Sequence, residues 1–241
     1  MTIIKLNATD STNDYLKELV LSQSLTDYTI VMAKLQLKGK GQRGAKWLSE
    51  EGKNLTVSIL KNFKNFKAQN QFNLNKIVSL AVYDVLHELT VPDLYIKWPN
   101  DILSGNKKIC GILIENILKG HLISKAILGI GLNVNQTSFK SIEKASSIKL
   151  ILDSNKDFEL DAILGAIQVK LIYYFNLSNQ EIGEKYVSVL YRKDVLSIFN
   201  NPDGDNFKAY IRGVNQLGKL HLELEDGIVK YYGLKEITLY Y

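Results

Sequence analysis

KKICGILIENILKGHLISKAILGIGLNVN, residues 107–135, holds two long apolar runs broken by Lys119-Gly120-His121. Ile and Leu dominate both runs, and the break carries a turn signal, so the stretch reads as a β-hairpin. Helical patterns stand on both sides of it. Upstream, Ile77, Val78, Ala81, Val85 and Leu89 mark one buried face of a helix over Asn73–Leu89. Downstream, Ile163, Ile167 and Leu171 mark a helix at about 160–177, and Ile182, Tyr186 and Val189 another at about 180–191. A hairpin set among helices points to an α+β fold rather than a regularly alternating parallel sheet.

Working outward, Asp10-Ser11-Thr12-Asn13 opens a further helix, with Tyr15, Leu16, Leu19 and Val20 on one face and Ser or Asp as its cap. YTIVMAKLQ (28–36), NLTVSIL (54–60) and the short YIKW (95–98) read as strands. From Asp194 onward the chain offers only strand-like runs: VLSIF, FKAYIRGV, KLHLEL, IVKYY and EITLYY, separated by Asn-Pro-Asp-Gly, Leu-Gly and Asp-Gly. Five short strands in so little chain predict a small β-barrel. The expected division is therefore 1–191 and 192–241.

Composition narrows the function. The 241 residues are 46% hydrophobic and 23% charged, as in an ordinary globular protein with a sizeable core. No apolar run approaches a membrane span, and MTIIKLNATD lacks the apolar segment of a signal peptide. Cys110 stands alone, which fits a reducing cytoplasm. With His87, His121 and His221 far apart in sequence, a Cys/His metal cluster is not expected. The net charge of +5 is carried by lysine, because only Arg43, Arg192 and Arg212 are arginines. A lysine-rich surface is weak evidence for nucleic acid, and a solvated surface accounts for it better.

Four stretches carry possible chemistry. Gly39-Lys40-Gly41-Gln42-Arg43-Gly44 combines backbone N–H groups that approach a ligand closely with two cations, which suits an anion; a flexible surface loop has the same composition. It is neither a Walker A loop nor a dinucleotide fingerprint, since neither Gly-Lys-Ser/Thr nor a helix follows. KWPND (97–101) needs Pro99, Asn100 and Asp101 to turn, but not Lys97 and Trp98 as well; a Lys97–Asp101 pair that orders the loop is the structural reading. Lys107-Lys108 enters an apolar strand, where a lysine needs an anion or must snorkel. Gly129 and Gly131 inside GIGLNVN mark a close approach by a ligand or another backbone, or a packed bulge.

Taken together and in order, DSTN (10–13), Gln36, GKGQRGAKW (39–47), KWPNDI (97–102), KKICGILIE (107–115) and GIGLNVN (129–135) resemble the biotin–protein ligases, over essentially the whole chain. The resemblance implies a mixed β-sheet flanked by helices, of the class II aminoacyl-tRNA synthetase/biotin ligase type, with a small C-terminal SH3-like β-barrel. It implies ATP and biotin as substrates with Mg²⁺, biotinyl-5′-AMP as intermediate, and a biotin carboxyl carrier protein domain as acceptor. The Ser-Thr-Asn motif begins at residue 11, so a monofunctional ligase without the family's DNA-binding domain is expected, with no nucleic acid or membrane partner, as monomer or homodimer.

The site residues implied are Lys108 and Arg43 as catalytic groups. Ser11, Thr12, Asn13, Gln36, Lys40, Gly41, Gln42, Trp47, Lys108 and Gly111 would surround biotin. Gly39, Lys40, Arg43, Gly44, Lys97, Trp98, Asn100, Asp101 and Asn133 would surround the nucleotide. Asn100 and Asp101 would hold the nucleotide or a phosphate-bound Mg²⁺. The glycine loop departs from the arginine-rich family pattern, because Lys40, Gln42 and Ala45 stand where arginines are frequent. A lipoate–protein ligase is the nearest rival, and a non-catalytic nucleotide- or RNA-binding module is a rival of another class.

Overall fold

The computed structural model describes residues 2–139 and 142–240, with the side chain of Arg43 outside that description. The chain opens with β1 (Ile3–Thr9), α1 (Thr12–Ser22) and β2 (Ile30–Gln36). Ser11 caps α1 by accepting from the Asp14 N–H, as its position before the apolar spacing predicts. α1 is the crossover that lets β1 and β2 lie parallel. β3 (Leu55–Lys67) runs antiparallel to β2, and α2 (Phe72–Glu88) follows it. Next come β4 (Leu94–Lys97), β5 (Asp101–Ser104), β6 (Lys107–Lys119) and β7 (Leu122–Leu132). The short α3 (Ile148–Ile151) precedes α4 (Leu160–Phe175) and α5 (Asn179–Ser188).

These strands form a mixed seven-stranded sheet in the order β1-β2-β3-β7-β6-β5-β4. The β6–β7 hairpin lies inside the sheet, where β7 also pairs with β3. That placement explains its nearly unbroken apolar runs, since both faces are covered. On one face, Leu16 and Val20 of α1 meet Val31, Leu60 and Ile127. The other face packs against α2, α4 and α5 in the main core. β3 shows the period-two logic: Leu55, Val57 and Ile59 belong to the main core, while Leu60 joins the α1 side.

The C-terminal strands β8 (Leu196–Asn200), β9 (Asn206–Val214), β10 (Leu220–Leu224), β11 (Val229–Tyr232) and β12 (Thr238–Leu239) depart from the expected SH3-like barrel. They form an open antiparallel sheet in the order β11-β10-β9-β8-β12, without closure among the described residues. A barrel requires its two edge strands to pair. Here β12, from the last of the five short runs, EITLYY, keeps only two residues in the ladder and spends them on β8.

This second sheet shares the main core: Phe199, Ile211, Leu220 and Leu222 belong to the same cluster as Phe72 and Tyr186. The turn at Gly218 fits tightly on α2, because a Cβ there would fall 2.5 Å from the Phe72 ring. The Trp98 indole N–H donates to the Gly218 carbonyl at 2.9 Å, tying the KWPND turn to the second sheet.

Candidate active site

The end of β2, the start of α1 and the middle of β3 meet in a polar cluster. Gln36 Oε1 accepts from the Thr12 backbone N–H at 2.8 Å and from the Thr12 hydroxyl at 3.1 Å. The buried Ser58 hydroxyl lies 2.8 Å from Thr12 Oγ1 and 2.6 Å from Asn13 Oδ1. Asn13 Nδ2 donates to Glu115 Oε2 at 2.8 Å. Buried polar groups need such mutual satisfaction. At this end the groups that line a cleft of about 230 Å³, Ser11, Thr12, Asn13 and Gln36, are uncharged and hydrogen-bonding, with Glu115 behind them.

The floor of that cleft is glycine. Gly111 of β6 pairs with Gly131 of β7, with Gly129 two residues before it. The absent side chains let other groups descend onto the sheet. A Cβ on Gly131 would fall 2.5 Å from the Trp47 ring, and one on Gly129 would fall 2.4 Å from Asn13 Oδ1. Trp47 is brought there by the glycine loop, which folds on itself through Gly41 N–H to Ala45 O at 2.7 Å and Trp47 N–H to Gly39 O at 2.9 Å. Its backbone makes a short 3-10 turn over Gln42–Gly44.

The opposite end of the cleft is charged. Lys108 Nζ lies 2.6 Å from Asp101 Oδ1 and 5.7 Å from the centre of a Trp47 ring. The ion pair is not an aligned hydrogen bond, for Asp101 Oδ1 is buried without one. Three lysines, Lys40, Lys46 and Lys108, line the cleft against one aspartate, Asp101, so its field favours an anion. Lys97 sits behind this pair; burial drives its pKa down, Asp101 opposes the shift, and Lys108 and Lys144 reinforce it. Cys110, beside them on β6, is a buried thiol whose pKa burial pushes far up, which makes it inert.

A second cavity, of about 270 Å³, opens between the KWPND turn and the C-terminal sheet. Gln42 and Asn100 line both cavities. Asn100 is locked by Asn100 Nδ2 to Ile112 O at 2.7 Å and Ile112 N–H to Asn100 O at 2.9 Å.

Of the expected site residues, Ser11, Thr12, Asn13, Gln36, Lys40, Gly41, Gln42, Trp47, Asn100, Asp101, Lys108 and Gly111 meet in the first cleft. Lys40 Nζ is drawn to Asp14 at 2.7 Å, toward α1. Lys97 and Trp98 face the second cavity. Gly39 supports the loop: a Cβ there would strike the Trp47 carbonyl at 2.4 Å. Gly44 sits at φ +86°, a turn requirement. Buried Asn133 donates to Ser146 O at 2.9 Å, while its Oδ1 has no partner among the described residues. Arg43's side chain lies outside the described part. Ser58 escaped the sequence reading, and Glu115 entered it only as the last residue of KKICGILIE and not as a site residue; the one signal was a hydroxyl and a carboxylate placed in otherwise apolar strands.

A family model, the biotin/lipoate A/B protein ligase family, matches residues 6–133. The bifunctional ligase/repressor BirA of Escherichia coli (strain K12) is 27% identical over 244 residues, covering 99% of this chain and 74% of that protein. A biotin–[acetyl-CoA-carboxylase] ligase of Paracoccus denitrificans is 35% identical over 131 residues, 54% of this chain and 53% of that protein. The structure of a biotin protein ligase from Aquifex aeolicus in complex with biotin and ATP superposes with a TM-score of 0.78 at 29% identity, covering 99% of this chain and 98% of that one.

Proposed function

The chain belongs to the biotin/lipoate A/B protein ligase family, and from that premise we propose that it is an ATP-dependent biotin–protein ligase acting on a biotin carboxyl carrier domain. One observation carries the reading of the site: a single cleft runs from an uncharged hydrogen-bonding end at Ser11, Thr12 and Gln36 to a cationic end at Lys108. Biotin has this polarity, with an uncharged ureido ring at one end and a carboxylate at the other. A ureido group asks for donors and acceptors rather than charge, and Trp47 over the glycine floor forms an apolar wall for the bicyclic ring.

In the first half-reaction a carboxylate oxygen of biotin attacks the α-phosphorus of ATP. The bond to the β-phosphate bridging oxygen breaks, and pyrophosphate leaves with its electron pair. Two anions must meet for this step, so positive charge has to be held at their junction. Lys108 is the group for that duty, with its ammonium held by Asp101 and close to Gly111. In the second half-reaction the neutral amine of the carrier lysine attacks the carbonyl carbon of the mixed anhydride. AMP departs and the amine gives up a proton.

Magnesium fits this site as a companion of the nucleotide. Among the described residues there is no cluster of three or more acidic, His or Cys ligands. Mg²⁺ bound to phosphates needs only one or two protein carboxylates, and Asp101, which lines the cleft, would offer one in exchange for its contact with Lys108. When bound, the ion supplies charge neutralisation on the phosphates.

A pyrophosphate-release assay with biotin, lipoate or neither tests the reading. Release with biotin alone is expected, because buried polar groups built for a ureido ring are left unpaired by lipoate. Equal turnover with lipoate would favour the lipoate ligases of the same family, and no release with either acid would refute ligase activity.

A further inference from the structure

Asn13 is buried, and two groups flank one end of its side-chain amide: Glu115 Oε2 at 2.8 Å and the Leu113 carbonyl at 3.3 Å. A carboxylate and a carbonyl only accept, so that end of the amide is the NH₂ group, and Oδ1 faces Ser58. Ser58 has one hydroxyl proton, and the 2.6 Å contact with Asn13 Oδ1 takes it, because Oδ1 cannot donate. The 2.8 Å contact between Ser58 and Thr12 must then use the proton of Thr12, which is shared with Gln36 Oε1 at 3.1 Å. The donors therefore run in one direction, from Thr12 through Ser58 and Asn13 to the carboxylate of Glu115. Thr12 lines the cleft with no hydroxyl proton left to give, so it meets an occupant as an acceptor. Glu115 stands behind the cleft, with its other oxygen 3.6 Å from Lys17 of α1.

We propose that Glu115 is a positioning residue for biotin: its carboxylate fixes the direction of this hydrogen-bond chain, so that Thr12 accepts from an N–H of the ureido ring. The proposal rests on the reading of the cleft as a biotin site. Without an acceptor-only group at 115, the Asn13 amide is free to turn over. Ser58 would then accept from Nδ2 and give its own proton to Thr12, whose oxygen would no longer be open to the ligand. A buried chain of this kind selects its ligand because a mismatched group is left unpaired.

Calorimetry with biotin on the intact protein, with pyrophosphate release alongside, tests this. Glu115→Ala should weaken biotin binding about 10-fold, the lower end of the effect of a hydrogen bond to a charged group because Glu115 is partly exposed. Glu115→Gln should fall between wild type and Glu115→Ala, since an amide offers Asn13 either an acceptor or a donor. The kcat at saturating biotin should stay within about twofold, because the change lies at the opposite end of the cleft from Lys108. Lys17→Ala removes the ion pair but not the contact with Asn13, so biotin affinity should stay within about twofold. In a Ser58→Ala background the chain is already broken, and Glu115→Ala should add less than about twofold. Unchanged biotin affinity in folded Glu115→Ala would overturn the proposal. Full additivity with Ser58→Ala, or an equal loss in Lys17→Ala, would also overturn it, since either would indicate a structural role. A wild-type protein that binds no biotin would refute the reading of the cleft and the proposal with it, whereas wild-type binding that ignores Glu115 would overturn the proposal alone.

Discussion

Replacing Gly131 by alanine adds one methyl group to the floor of the cleft, and the structure determines where the strain goes. The new Cβ would lie 2.5, 2.7 and 2.9 Å from three atoms of the Trp47 ring system. Real Cβ atoms do not approach so closely, and the indole is rigid, so Trp47 must rise from the sheet. Forcing an extra methyl into a packed site costs about 1–3 kcal/mol when nothing can move. Here the obstructing group sits on a surface loop outside both hydrophobic clusters, so displacing it relieves most of that cost. The thermal midpoint of Gly131→Ala should therefore fall by only a few degrees. Binding should suffer more, because the wall over the biotin ring is lost. One aromatic wall contact contributes about 1.5 kcal/mol, which corresponds to about a 10-fold rise in the KM for biotin. Gly111→Ala provides the control. Its Cβ would meet Trp47 at 3.0 Å and the flexible end of Lys108 at 3.3 Å, so a smaller rise is expected. The assay is pyrophosphate release against biotin concentration, with melting curves alongside. In a double-mutant cycle, Gly131→Ala should add nothing once Trp47 is already alanine. A wild-type KM for biotin in Gly131→Ala, or full additivity with Trp47→Ala, would refute the reasoning.

Lys108→Ala should lower the rate of adenylate formation by about 10²–10³ while the melting curve stays close to wild type, because one electrostatic contact at the reacting centre is lost; near-normal pyrophosphate release would remove Lys108 from the mechanism. Lys76 tests the core instead. Burial on α2 drives its pKa below the usual lysine value, so in the window between the folded pKa and 10.5 the unfolded chain binds more protons than the folded one, and stability rises with pH across it. Lys76→Met should accordingly be more stable than wild type at pH 7, with the advantage shrinking as the pH rises toward and beyond 10.5. Melting curves at both ends of that range decide it, and an advantage that does not change with pH would contradict the account.

Local patterns in the chain were enough for much of this protein. The Gly120 turn between two apolar runs determines the β6–β7 hairpin, because a turn and its flanking strands are set by neighbours in sequence. Ser11 ahead of Leu16 and Val20 determines the start of α1 in the same way. The ordered motifs also identified most of the cleft residues, since close approach to an anion demands glycine and cations wherever it occurs. Distant contacts were a different matter. β1 escaped because it is a largely exposed edge strand with a weak apolar alternation. β5 escaped because the turn signals of KWPND run directly into it.

Closure of the C-terminal sheet was misjudged because strand count says nothing about which edges meet. Two residues of β12 on β8 leave the sheet open. The polar end of the cleft joins Asn13 to Glu115 across 102 residues, and the Trp98–Gly218 bond spans 120. Such pairings depend on how packed layers bring remote segments to within about 3 Å of one another, the reach of a hydrogen bond. Only the tertiary structure could place Ser58 beneath Thr12, or Lys144 beside Lys108, because each pair is joined by the folding of the sheet and not by spacing along the chain.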